Sequence, residues 1–371
     1  MNKKKILCFC LALGAFSAMM AQETLSLSQC LQMAVDNNLS LQKSRNEIAK
    51  GKYSISENQA KLLPQINAVA QLNDNFTPPV SVTDGSAYGK PYNVTKTLQY
   101  NASAGLQLQM PLYNQMVNTA IDIAKIADHL NQLSYEKARE DLIVQTAKMY
   151  YMAQNTAEQI RLVNDNIKRL EELYGITQAF YDNQMSLEVD VKRVKLNIEN
   201  LTVQRDNAIA MLDQQYTMLK YVIDYPADKQ IKVSEVNPGE IETVNANGLN
   251  THLYELQLLE KRKELAQKQT KLAKDGYLPS VSLTGSLMYS AFTDKIEHWI
   301  HSGESNHWYG SNGIGIQLRV PVFDGFEKRS KIRSAKMEEE NARIGYEDAL
   351  KGMQANYMNA VSEVNNSQRN Y

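Results

Sequence analysis

The chain has 371 residues, 43% apolar and 22% charged, with 40 basic against 41 acidic side chains and a net charge of −1. That balance leaves no broad basic footprint for nucleic acid. Only 17 Gly and 9 Pro stand against 20 Tyr, which excludes a turn-rich all-β chain and favours long uninterrupted helices.

Mean hydropathy is −0.44, and the one apolar run that approaches membrane-spanning length is N-terminal. Lys3, Lys4 and Lys5 precede an apolar stretch over residues 6–20, and Ala21 suits a cleavage position. Residues 1–21 therefore read as a secretory signal peptide rather than a transmembrane helix. Cys8 and Cys10 leave with it. Cys30 remains alone, so the exported chain has no internal disulfide and is held by packing or oligomerisation.

Residues 25–35 read as a short helix, with Ser26 and Gln29 as a capping box. A second helix over 41–62 is stopped by Pro64. Alternation follows. Ile66, Ala68, Ala70 and Leu72 point one way, and Asn67, Val69, Gln71 and Asn73 the other. In 98–110, Leu98, Tyr100, Ala102, Ala104, Leu106, Leu108 and Met110 oppose Gln99, Asn101, Ser103, Gly105, Gln107 and Gln109. Period two means strands with one apolar and one polar face. Between them, 77–97 holds Pro78, Pro79, Gly85, Gly89 and Pro91 and is expected to be a surface loop.

From Asn114 to Tyr181 the pattern is helical, about 100 Å at ~1.5 Å per residue. Ile160, Val163, Ile167, Leu170 and Tyr174 form a coiled-coil seam. A second seam, Leu187, Val191, Val194, Ile198 and Leu201, lies on a helix expected over 186–223. Residues 182–186 are the break between them, with Ser186 as N-cap.

The pattern then repeats. Leu63-Pro64 returns as Leu278-Pro279, Met110-Pro111-Leu112-Tyr113 as Val320-Pro321-Val322-Phe323, and Tyr135-Glu136 as Tyr346-Glu347, at offsets of 215, 210 and 211. A helix is expected over 250–274. Strands follow from Val281 to Ser290 and from Trp308 to Val320, where Ile314, Ile316, Leu318 and Val320 oppose Gly313, Gly315, Gln317 and Arg319. The chain thus divides into a first repeat at 22–225, a linker at 226–248 and a second repeat at 249–371. A long helix opens near Glu327 and is still helical at Tyr371. The repeat predicts a turn and a returning helix beyond it, so the second repeat reads as truncated.

Each half supplies two amphipathic strands long enough to cross a bilayer when tilted. Four strands cannot close a barrel, and open edges are not tolerated in lipid, so several copies share one. Gln99, Gln107, Gln109, Gln317 and Arg319 are expected to face its lumen. Leu106, Leu108, Ile314, Ile316 and Leu318 are expected to face lipid. The alternatives are a soluble sandwich and a periplasmic coiled-coil interaction protein, which has no use for amphipathic strands.

No enzyme motif is present. Gly313 and Gly315 lack the third glycine of a dinucleotide loop and fall inside a strand pattern. His298, His301 and His307, with Glu297 and Glu304, read as a polar loop. No metal and no cofactor are expected.

Several segments together resemble the TolC-like outer-membrane efflux channels. Gln59-Ala60-Lys61-Leu62-Leu63-Pro64-Gln65-Ile66 matches the family's helix-to-strand entry. Leu108-Gln109-Met110-Pro111-Leu112-Tyr113 and Val320-Pro321-Val322-Phe323-Asp324-Gly325 match its strand-to-helix exits. Ser186-Leu187-Glu188-Val189-Asp190 is similar to its periplasmic turn, with Asn183 in the region where the family carries a glycine. The order and repetition of these segments, over about residues 24–371, carry the resemblance. It implies a mainly α fold with transmembrane β, a TolC-like α/β-barrel: a homotrimer with a twelve-stranded barrel in the outer membrane and a helical tunnel in the periplasm of a Gram-negative cell. It also implies a periplasmic adaptor, an inner-membrane pump beyond it, and export of drugs, other small molecules or polypeptides. The tip residues Asn183, Gln184, Met185, Ser186 and Leu187 would then meet the adaptor. Asp182, Glu188 and Asp190 would line the aperture as a ring of carboxylates.

Overall fold

The computed structural model describes residues 23–235, 253–295, 297 and 308–370. The leader and the loop bearing His298, His301 and His307 lie outside them. Two compact units form, each discontinuous in sequence. One is Met1–Glu47, Gln132–Asn250 and Asn359–Tyr371; the other is Ile48–Asn131 and Thr251–Met358.

The elements run β1 (Glu23–Leu25), α1 (Leu27–Asn37), α2 (Leu39–Ala60), β2 (Gln65–Asp74), β3 (Val80–Asp84), β4 (Tyr92–Lys96) and β5 (Tyr100–Tyr113). Then come α3 (Gln115–Asp182), α4 (Glu188–Val222), β6 (Ile231–Val233), α5 (Tyr254–Asp275), β7 (Ser280–Thr293), β8 (Trp308–Arg319) and α6 (Glu327–Asn370).

In the first unit the capping box forms as its residues dictate. Ser26 Oγ accepts the Gln29 amide, and Gln29 Oε1 accepts the Ser26 amide at 2.8 Å. Helix α1 then buries Cys30 and Ala34, one turn apart, against Leu41, Leu142, Leu219 and Ile223. Burial pushes the Cys30 thiol up to about 11, so it stays protonated at neutral pH. The stretch 226–248 is more than a linker. Its β6 pairs in parallel with β1, Glu23 opposite Ile231 and Leu25 opposite Val233. Three residues are too few to show alternation, so neither strand has a sequence signature. Tyr150 locks the pair. Its buried hydroxyl donates to the Leu25 carbonyl at 3.1 Å and accepts the Ser234 amide at 3.1 Å. Gln154 Nε2 donates to the Ser234 carbonyl at 2.9 Å. The α3–α4 seam packs as heptads require. Val163, Ile167 and Val191 are buried and Ile160, Leu170, Val194, Ile198 and Leu201 half-buried, whereas Leu187 is exposed.

The second unit holds an antiparallel sheet in the order β2-β5-β7-β8. Both helix-to-strand entries use the same turn. The Leu62 and Leu63 amides donate back to Gln59 and Ala60, and the Tyr277 and Leu278 amides to Lys274 and Asp275. Strand β5 runs three residues past the expected Met110, through Pro111, with a bulge between Pro111 and Tyr113. Strand β2 begins opposite Gln109, so β5 has one free side at Pro111, where a proline is tolerated. Both strand-to-helix exits carry an Asx cap. Asn114 Oδ1 accepts the Met116 amide at 3.1 Å, and Asp324 Oδ2 accepts the Lys328 amide at 3.1 Å. Gly51 lets α2 approach α3, because a Cβ there would lie 2.5 Å from Asp128 Oδ1. The start of α3 is tied to α5 through Thr119 Oγ1 donating to Asp275 Oδ2 at 2.5 Å and Lys268 Nζ to Asp122 at 2.7 Å.

The expected loop at 77–97 is instead a hairpin of β3 and β4, Val82 opposite Val94. Five-residue strands between prolines show too little alternation to be read. Gly89, at φ 65°, closes its turn.

Candidate functional site

The register of the sheet sorts side chains into two faces. Asn67, Gln107, Ser286 and Gly313 lie in one row across the four strands, and Gln65, Gln109, Thr284 and Gly315 in the next row on the same face. Gln317 and Arg319 continue that face along β8. It is polar and, in these rows, uncharged. Ala68, Leu106, Leu287 and Asn312 form a row on the opposite face, as do Ile66, Leu108, Gly285 and Ile314; Ile316 and Leu318 follow the same alternation. Gln99 lies just before β5, where its side chain donates to Asp74 at 2.9 Å. Gly313 and Gly315 sit within β8, with no loop for a nucleotide phosphate.

The apolar face is uncovered. Ile314 is 77% exposed, Ile316 71% and Leu106 46%. A soluble sandwich would bury these side chains against a second layer. Among the described residues no helix is long and apolar enough to cross a membrane.

At the turn after α3 the chain closes in a Schellman motif. The Met185 amide donates to the Phe180 carbonyl at 2.8 Å and the Gln184 amide to Tyr181 at 2.9 Å. This places Gln184 in the left-handed region, at φ 64°, where helices favour glycine. Sequence reading located the break but not which residue takes that conformation. Ser186 is not the N-cap of α4. Residues 183–185 are spent closing α3, and Leu187, extended and without a side-chain cap, is the residue from which α4 starts. Glu188 and Asp190 in the first turn compensate by facing the positive end of the helix. The left-handed residue opens a test. Gln184→Gly is expected to stabilise the turn by roughly 0.5–1 kcal/mol, slowing native-state hydrogen exchange at the Met185 amide about two- to fivefold. Faster exchange would contradict the strain assigned to Gln184.

Met185 and Leu187 are 74% and 71% exposed, and Phe180, Tyr181 and Val189 beside them are exposed as well. The acids near the turn are partly compensated. Asp182 accepts from Gln178, Glu188 pairs with Lys192 at 2.7 Å and Asp190 with Arg193 at 3.5 Å. Hydrogen bonding to Glu188 raises the Lys192 ammonium above its ordinary value.

The chain matches the sequence profile of the outer membrane efflux protein family over residues 30–219 and 254–371. It is 23% identical to the outer membrane protein TolC of Escherichia coli K12 over 368 residues, covering 96% of this chain and 71% of that protein. Its fold is similar to that of VceC from Vibrio cholerae, with a TM-score of 0.71, 16% identity and coverage of 92% of this chain and 79% of the other. The CmeC outer membrane channel of Campylobacter jejuni gives a TM-score of 0.66 at 18% identity, covering 92% of this chain and 73% of that one. These likenesses do not favour a periplasmic coiled coil without a barrel, and the family is one of channels rather than enzymes. The profile match, over most of the chain, shows that this chain belongs to the outer membrane efflux protein family and serves as an efflux channel of the outer membrane, with a periplasmic extension.

Proposed function

We propose that three copies of this chain share one twelve-stranded transmembrane barrel, with Gln107, Gln109, Gln317 and Arg319 lining its lumen and Leu106, Leu108, Ile314, Ile316 and Leu318 facing lipid. The observation that carries this reading is the four-stranded sheet itself. Its apolar face is uncovered, and among the described residues β2 and β8 each keep one edge without a partner strand. An unpaired backbone group in hydrocarbon costs several kcal/mol, so the edges of one copy pair with those of its neighbours. The strands have 10, 14, 14 and 12 residues, enough for a tilted crossing.

Helix α3, at 68 residues, reaches about 100 Å at ~1.5 Å per residue, a length suited to a periplasmic tunnel. Asn183, Gln184, Met185, Ser186 and Leu187 form the tip that meets the helical hairpin of a periplasmic adaptor, and through it an inner-membrane pump. Asp182, Glu188 and Asp190 lie near the aperture, where Lys192 and Arg193 moderate their field. The cargo is small molecules, drugs and toxic compounds among them, or polypeptides. The chain binds and guides its cargo without covalent chemistry. Residues 1–21 direct export and are removed. Residues 22–225 and 249–371 are two copies of one structural repeat, joined through 226–248.

Protein extracted from outer membranes in detergent is expected to sediment as a trimer and to change its gel migration only after boiling. A monodisperse, folded monomer would overturn the shared barrel.

A further inference from the structure

Four methionines of the first unit line one cavity of about 270 Å³. Met149 and Met152 stand three residues apart on α3. Met211 and Met218 stand seven apart on α4, with Gln214 and Gln215 between them. Spacings of three, four and seven place side chains on one helix face, so two helices each present a thioether pair to the same space. Nothing charged lines it. Met152, Met211 and Met218 are about half exposed in the single chain. Gln215 Oε1 is shielded from solvent and accepts no hydrogen bond.

The chemistry of this set is narrow. A thioether is a neutral, polarizable donor that selects soft cations; calcium, magnesium and manganese ask for charged or carbonyl oxygens. Among the described residues no group of His, Cys, Asp and Glu could hold a metal, so no harder site competes there. Three rotatable bonds let each methionine swing its sulfur inward, so an open cavity can contract around an ion. Packing alone does not require sulfur, because leucine fills such a face with nearly the same volume.

We propose that Met149, Met152, Met211 and Met218 form a site for a soft monovalent metal cation, silver(I) or copper(I), with the Gln215 carboxamide oxygen available as a further donor. The site does not depend on the shared barrel. Thioethers carry no proton at physiological pH, so binding releases none. This separates the site from any histidine or thiolate site, whose affinity rises with pH.

The test titrates silver(I) into the purified detergent-extracted protein in chloride-free buffer, beside Met152→Leu/Met211→Leu/Met218→Leu. Both proteins keep Cys30, so the difference between them counts the methionine site alone. The unaltered protein is expected to bind one more silver ion per chain, with an affinity that stays level as the pH is varied and is not displaced by excess zinc. Equal stoichiometry in the two proteins overturns the proposal. So does an affinity that climbs about tenfold per pH unit, which would assign the metal to a titrating ligand. If the triple variant does not fold, the unaltered protein labelled with 13C-methyl methionine decides. The four methyl signals, assigned through single leucine replacements, should shift together at one equivalent of silver while Met33 and Met337 stay in place. Four unmoved signals would overturn the site.

Discussion

Leu106→Arg is expected to abolish assembly in the membrane, and Gln107→Arg, one residue further along β5, to leave it intact. The two positions differ only in the face they occupy. Leu106 shares its row with Ala68, Leu287 and Asn312; Gln107 shares its row with Asn67, Ser286 and Gly313. On a lipid face near the midplane an arginine costs about 2–4 kcal/mol. A shared barrel meets that cost once per copy. On the polar face the guanidinium remains hydrated beside amide and hydroxyl side chains. There it adds a ring of positive charge, which should raise anion over cation conductance. Heat-modifiable trimer in membrane fractions reads the first effect, and planar-bilayer conductance reads the second. Equal trimer yields from the two variants would sink the assignment of faces.

Met185→Asp combined with Leu187→Asp is expected to stop export while leaving the trimer unchanged. Both side chains are about three-quarters exposed, at 74% and 71%, so their removal sacrifices almost no packing within the chain. Surface substitutions of this kind usually move stability by less than about 0.5 kcal/mol. A set of exposed apolar residues at a tight turn fits a partner surface. Two new carboxylates beside Asp182, Glu188 and Asp190 would desolvate badly against an apolar partner and repel an acidic one. Drug susceptibility should rise to that of a strain lacking the channel, with undiminished trimer in the membrane. Normal export from the double variant would dismiss the docking role.

Much of this fold is legible because its elements are long. Alternation across 98–110 and heptads around Val163, Ile167 and Val191 repeat their signal many times; the strand register follows the first, and the burial of those three residues follows the second. The two faces of the sheet were readable for the same reason, since period two leaves no freedom once the strands pair. Elements that depend on a few residues were not. Strands β1 and β6 have three residues each and gain their meaning only from each other and from Tyr150. The β3–β4 hairpin hides between prolines. At the tip, Gln184 takes a left-handed conformation that its identity opposes, so the turn overrides local preference. The caps at Asn114 and Asp324 were within reach. They occupy equivalent places after the two Pro-containing exits, 210 residues apart, and a comparison of the repeats one residue further would have found them.

The pairing of β1 with β6 bears on how the chain matures. Glu23 and Ile231 are partners although 208 positions separate them. During synthesis and export the first strand therefore emerges long before its complement. Until residues 231–233 arrive, Leu25 has no strand beside it, and the Tyr150 hydroxyl lacks the Ser234 amide that it accepts. Closing so long a loop carries an entropic cost that rises only slowly with length, so what delays the step is the wait for the complement rather than the final search. The N-terminal segment must be kept from wrong partners throughout that interval. A periplasmic chaperone that holds extended segments would find it available until residues 231–233 have crossed the inner membrane.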